Sequence, residues 1–112
     1  EVLAGSTRLK AATAAKLVLN SITTAAMIRL NKVYDHWMVD LKPTNHKLRL
    51  RAVRLVAALA GLPPAAAAKT LGAAGGHIKT AVVMSRLKLP RARAKSLLRR
   101  ARGSLRLALE NR

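Results

Sequence analysis

A glycine, two hydroxyls, an arginine and a lysine fall within six positions near the start of the chain, as Gly5, Ser6, Thr7, Arg8 and Lys10. The residues that follow form helices readily, so this run sits where a loop enters a helix. That is the chemistry of an anion site. Glycine lets the backbone approach a ligand closely, the hydroxyls stand beside helix N-terminal amides, and the two cations add charge-assisted hydrogen bonds. The plainer alternative is that Ser6 or Thr7 is only an N-cap.

Other chemistry-bearing residues are sparse. His36, His46 and His77, with Asp35 and Asp40, are the side chains to consider for a metal, but their spacing matches no helix-borne zinc motif, and no metal or cofactor is expected. Glu1, Asp35, Asp40 and Glu110 are all the carboxylate side chains there are, and none sits in a pattern that identifies a general acid or base. Serine, histidine and aspartate show no nucleophile elbow or triad order. Met27, Met38 and Met84 read as core filler.

These residues must be carried by helices. From about Ala11 to Leu30 apolar residues spread around most of a helical circumference, among them Leu17, Val18, Leu19, Ile22, Met27, Ile28 and Leu30. A helix apolar all round belongs in the interior of something larger than the rest of this chain could enclose. From Asn31 to Asn45, "NKVYDHWMVDLKPTN", the periodicity breaks and Pro43 disfavours helix at Lys42, predicting an irregular or short extended connector. Thr44 or Asn45 then stands at an N-cap position, Leu48, Ala52, Leu55, Val56 and Leu59 repeat at helical spacing, and Gly61 supplies the stop. Three further short helices are predicted: a proline-started one ending between Gly72 and Gly76, one before Pro90, and one from Pro90 to Gly103 with Ala94, Leu97, Leu98 and Ala101 as its apolar stripe. A last turn or two runs from Ser104 to Leu109.

Composition restricts the fold class and the partners. One Trp, one Tyr and no Phe leave a core of Leu, Val, Ile and Ala, which favours helix-on-helix packing. Absent cysteine excludes disulfides and thiolate metal sites. With 22 Lys plus Arg against 4 Asp plus Glu, the net charge of +18 exceeds what solubility requires and points to a polyanionic partner, or to acidic partners in sequence beyond these residues. Lys88, Arg91, Arg93, Lys95, Arg99, Arg100 and Arg102 concentrate that charge near one helix. Few aromatics could stack bases, so any nucleic-acid binding is expected to be weak, sequence-blind and salt-labile. The longest apolar stretch, Leu17 to Ile28, lies between Lys16 and Arg29 and contains Asn20, Ser21, Thr23 and Thr24, so a soluble protein without a membrane partner is expected.

The stretch "EVLAGSTRLKAATAAK", followed by "LVLN", "KVY", "MVDLKPTN", "KLRLRAVRLV" and "AAGGHIKTAVVM", resembles the C-terminal part of the bacterial N-acetylmuramic acid 6-phosphate etherases and, more distantly, the glucokinase regulatory proteins. The resemblance runs from Glu1 to about Leu109. Two departures stand out: Ala15 where the etherases usually carry glutamine, and Tyr34-Asp35-His36-Trp37 where Tyr-Gly-Asn-Leu is more usual. Losing that glycine matters if the backbone there needs a positive φ.

The resemblance implies a mainly α chain: residues 1–43 as the end of a doubly wound α/β sugar isomerase (SIS) domain, and 44–112 as a helical region with a ubiquitin-associated-like three-helix piece. It implies a cytoplasmic lyase of cell-wall recycling that removes the lactyl ether of N-acetylmuramic acid 6-phosphate by elimination and water addition, giving N-acetylglucosamine 6-phosphate and D-lactate. The full-length protein would be a homodimer, and its general acid and base would be glutamates of the upstream sheet domain. Gly5, Ser6, Thr7, Arg8 and Lys10 match the family signature and are expected to bind substrate, while these residues alone hold no catalytic pair. The alternatives are a regulatory sugar-phosphate sensor and a basic helical nucleic-acid-binding module.

Overall fold

The computed structural model describes residues 3–110. Glu1, a carboxylate named above, lies outside the described residues. Six α-helices and a two-stranded hairpin occur among those described, and the chain divides into two compact units, 1–30 and 31–112.

The first unit holds helix α1, Leu9–Arg29. No residue of α1 is buried, and Leu17, Val18, Leu19, Ile22 and Ile28 are each more than half exposed. Three of its hydroxyls bond back to the helix itself. Thr13, Ser21 and Thr23 donate their hydroxyls to the carbonyls of Leu9, Leu17 and Leu19 at 3.1, 2.8 and 2.9 Å, so they would enter an apolar environment without losing a partner. By length and composition α1 also meets the requirement for a membrane span. The sequence expectation, that no apolar stretch of that length is free of charge, stands, since Lys10, Lys16 and Arg29 lie within the helix.

Because Leu19 and Ile22 are each more than half exposed, charge at these positions costs little. Leu19→Lys combined with Ile22→Lys is expected to change unfolding stability by less than about 0.5 kcal/mol while sharply reducing binding of a hydrophobic dye. A large loss of stability would mean those side chains are covered in solution.

In the second unit a hairpin pairs β1, Val33–Tyr34, with β2, Trp37–Met38, antiparallel, with Val33 opposite Met38 and Tyr34 opposite Trp37. Asp35 opens its two-residue loop at φ +54. Aspartate tolerates the left-handed region better than most non-glycine residues, and the hairpin closes without the glycine. Five helices follow: α2 His46–Ala60, α3 Pro64–Ala73, α4 Ile78–Leu87, α5 Arg91–Arg100 and α6 Leu105–Glu110.

Local sequence explains their ends. Asn45 caps α2, its Oδ1 accepting from the Leu48 amide at 2.9 Å, and Gly61 ends it in the left-handed conformation. Pro63 and Pro90 are the extended cap residues of α3 and α5, so α5 begins one residue later than the proline placement predicts. Gly76 closes α3 through its amide to Leu71 O at 2.9 Å. Helix α4 ends differently. Lys88 holds the left-handed position at φ +51, where glycine would be less strained by about 1 kcal/mol.

Helix α4 is the central element and packs against α2, α3, α5 and α6. Ile78, Ala81, Val82 and Val83 are essentially fully buried on it. Around it Val39, Ala52, Val56, Ala67, Ala74, Ala94, Leu105 and Ala108 complete an aliphatic core without a fully buried aromatic; the alanines let helix axes approach closely. Tyr34, Trp37 and Leu41 pack on this core from the hairpin side, so the connector belongs physically with the helices after it. The stripe of Ala94, Leu98 and Ala101 is buried and Leu97 half-buried, as its spacing predicts.

One polar cluster ties the hairpin segment to the helices. The Lys79 ammonium, on a side chain only 13% exposed, donates to Asn31 O at 2.9 Å and Gly103 O at 3.0 Å and lies 3.4 Å from Asp40 Oδ1. Asn31 in turn donates its side-chain amide to Arg102 O at 3.2 Å.

Candidate functional site

The residues singled out for anion chemistry lie together at the entrance to α1. Leu3 O accepts from the Ser6 amide at 3.3 Å, making a turn through Gly5 at φ +77. A Cβ at Gly5 would meet nothing within 4 Å, so space around this backbone is open and only its conformation requires glycine. Thr7, Arg8 and Lys10 are exposed, and Ser6 is half-buried.

Neither hydroxyl acts as the helix cap. Arg8 occupies the N-cap position with an αR backbone, no side chain caps the helix, and no acid lies in the first turn. The reading of Ser6 or Thr7 as a mere N-cap therefore fails. What remains is a helix N-terminus whose first amides are uncapped by side chains, beside an arginine and a lysine. Amides there carry the positive end of the helix dipole, the same sign as Arg8 and Lys10. The arrangement can hold an oxyanion such as a phosphate, and among the described residues of the loop there is no carboxylate.

The remaining carboxylates are engaged elsewhere or distant in sequence. Asp35 Oδ2 lies 2.9 Å from His36 Nδ1, and Asp40 pairs with Lys79 and, at 3.7 Å, with Lys32. Among the described residues no three of His, Asp and Glu gather in a metal-binding group; His36 meets Asp35 alone, and the three histidines do not converge with the aspartates on one site.

The basic run predicted near α5 is largely exposed: Arg91, Arg93, Arg99, Arg100 and Arg102 fully so, Lys95 partly. Sequence reading did not find that four cations from this region converge on one groove between the end of α4 and α5, lined by Arg86, Lys88, Arg93 and Arg100 together with Leu87, Leu89 and Leu97. It also passed over Lys79. The available signal was a lone lysine inside the otherwise buried run Ile78 to Val83.

No protein-family model matches the chain. Curated relatives do. It is 46% identical over 109 residues to "N-acetylmuramic acid 6-phosphate etherase 1" of Bacillus licheniformis, covering 97% of this chain and 36% of that protein. With the N-acetylmuramic acid 6-phosphate etherase of Klebsiella aerogenes it shares 51% identity over 111 residues, 99% of this chain and 37% of the relative. The Exiguobacterium etherase is 50% identical over 109 residues, again 97% of this chain and 37% of the relative. The chain thus spans a little over a third of the length of the curated relatives it matches, and the matched part is their C-terminal segment.

Proposed function

We propose, for a chain that belongs by sequence to the N-acetylmuramic acid 6-phosphate etherase family, that it supplies the phosphosugar-holding loop of such an enzyme and not its acid–base pair. The observation that carries this reading is the loop at the start of α1. It joins an open glycine turn, first-turn amides without a side-chain cap, and the cations Arg8 and Lys10.

In the complete protein the reaction is removal of the D-lactyl ether of N-acetylmuramic acid 6-phosphate by elimination and water addition, a lyase step of cell-wall recycling in the cytoplasm. The 6-phosphate is dianionic near neutral pH and needs fixed positive partners; the α1 amides, Arg8 and Lys10 are those partners, with Gly5 giving the backbone room to approach. Ser6 and Thr7 add hydroxyl hydrogen bonds. Holding the phosphate orients the sugar, so binding energy remote from the ether is spent on positioning it against groups elsewhere in the protein.

The bare apolar surface of α1 supports burial within an upstream SIS-type domain, where its self-satisfied hydroxyls would cost nothing further. On this reading residues 1–43 close that sheet domain in sequence, with the hairpin at their end packed on the helical core, 44–112 form the helical region with a ubiquitin-associated-like piece, and the full-length protein is a homodimer. The etherase names of the relatives set the lyase above a regulatory sensor. The test is equilibrium binding of the substrate to the complete protein. Loss of one charge-assisted hydrogen bond is worth about 1.5 to 3 kcal/mol, so Lys10→Ala is expected to raise the dissociation constant roughly ten- to a hundredfold. Unchanged affinity would make Lys10 structural.

A further inference from the structure

The groove between the end of α4 and α5 has a composition that the phosphosugar loop does not explain. Its rim is cationic, with Arg86, Lys88, Arg93 and Arg100 all exposed, while Leu87, Leu89 and Leu97 are half-buried along it. No acidic side chain lines it. Of the aspartates, Asp35 is engaged by His36, and Asp40 by Lys79 and Lys32.

Two further features mark the cations of the rim. Arg86 is steadied at the rim by its hydrogen bond to the Tyr34 hydroxyl, 3.4 Å away. Lys88 stands at φ +51, a position that glycine fills at the end of α2. A lysine retained in the left-handed region, where it gains nothing for the fold, is accounted for by what its charge does at the groove.

We propose that this groove docks an acidic amphipathic segment of another protein, its carboxylates meeting the four cations and its apolar side chains covering the three leucines. A second copy of this chain is a poor occupant, because it carries the same +18 charge. Nucleic acid fits less well. Phosphates would satisfy the rim, but no aromatic lines the groove to stack a base, and the leucines would stay uncovered. An acidic helix with leucines at helical spacing satisfies both parts.

The experiment titrates the full chain, at a salt concentration of about 150 mM, with three fluorescent probes. The first is a peptide of about 18 residues, roughly 27 Å as a helix, built from glutamate with a leucine stripe. The second carries the same charges with every leucine replaced by serine, and the third is a DNA duplex of about the same length. The leucine peptide is expected to bind at least about tenfold more tightly than the serine peptide, and more tightly than DNA. Amide shift changes on binding should centre on α4 and α5.

Lys88→Gly separates binding from folding. It should raise the melting temperature by relieving the left-handed lysine, and weaken the leucine peptide several-fold by removing a cation. Equal affinity for the two peptides, tighter binding of DNA, or a Lys88→Gly chain that binds as well as the parent would each overturn the proposal.

Discussion

The 112-residue chain by itself is expected to release no measurable D-lactate from N-acetylmuramic acid 6-phosphate. Elimination of the lactyl group requires a base to take the proton beside the carbonyl-derived centre and an acid to protonate the leaving oxygen. Each contributes on the order of a hundred- to ten-thousandfold. Two of the three described carboxylates are already paired. Asp40 is tied into the Lys79 cluster and Asp35 is paired with His36 on an exposed hairpin loop. The first turn of α1 holds no acid. A coupled assay for D-lactate checks this; turnover near that of a complete etherase would mean that an acid–base pair has been overlooked among these residues.

The second large effect falls on stability. Lys79→Met keeps the aliphatic stem but removes the ammonium that Asn31 O, Gly103 O and Asp40 share. Two charge-assisted hydrogen bonds are lost at a site that is 13% exposed, so the carbonyls are left with little water to replace them. A destabilisation of about 3 kcal/mol is expected, which for a unit of this size lowers the melting temperature by roughly 15 °C. Asp40→Asn should cost less than about 1 kcal/mol, since that carboxylate is 43% exposed and screened by solvent. Thermal unfolding followed by circular dichroism measures both. If Lys79→Met melts with the parent, the cluster does not hold the hairpin segment to the helices.

Helix positions were largely legible because their signals are local. Asn45, Gly61, Pro64 and the glycines after α3 are stop and start residues that act within one turn, and the stripe of α5 follows from a 3.6-residue period. The pairing of Val33–Tyr34 with Trp37–Met38 was not legible. Only two residue pairs form it, too few for alternation to register, and its loop lacks the glycine that usually marks a turn. The Lys79 cluster was invisible for another reason: its partners are mostly backbone carbonyls far away in sequence, and any residue supplies a carbonyl. Nor could the sequence foretell that Arg8, rather than Ser6 or Thr7, takes the cap position, since all three precede the same apolar run.

The candidate site divides in the same way. Gly5, Ser6, Thr7, Arg8 and Lys10 are contiguous, so their proximity needed no tertiary information. The α4–α5 groove depends on how two helices cross. Its cations are spread from Arg86 to Arg100; in sequence Lys88, Arg93 and Arg100 merge into the basic run near α5, and Arg86 stands outside it.

The central claim is that the loop before α1 recognises the phosphate of the substrate, and a comparison of two ligands on the complete protein tests it most directly. Dissociation constants are measured for N-acetylmuramic acid 6-phosphate and for the same sugar without its phosphate, in the parent and in Arg8→Ala. The account predicts that Arg8→Ala weakens the phosphorylated sugar about tenfold or more and leaves the unphosphorylated one nearly unchanged, so that discrimination between them collapses. Equal weakening of both ligands, or undiminished preference for the phosphorylated sugar, would contradict it.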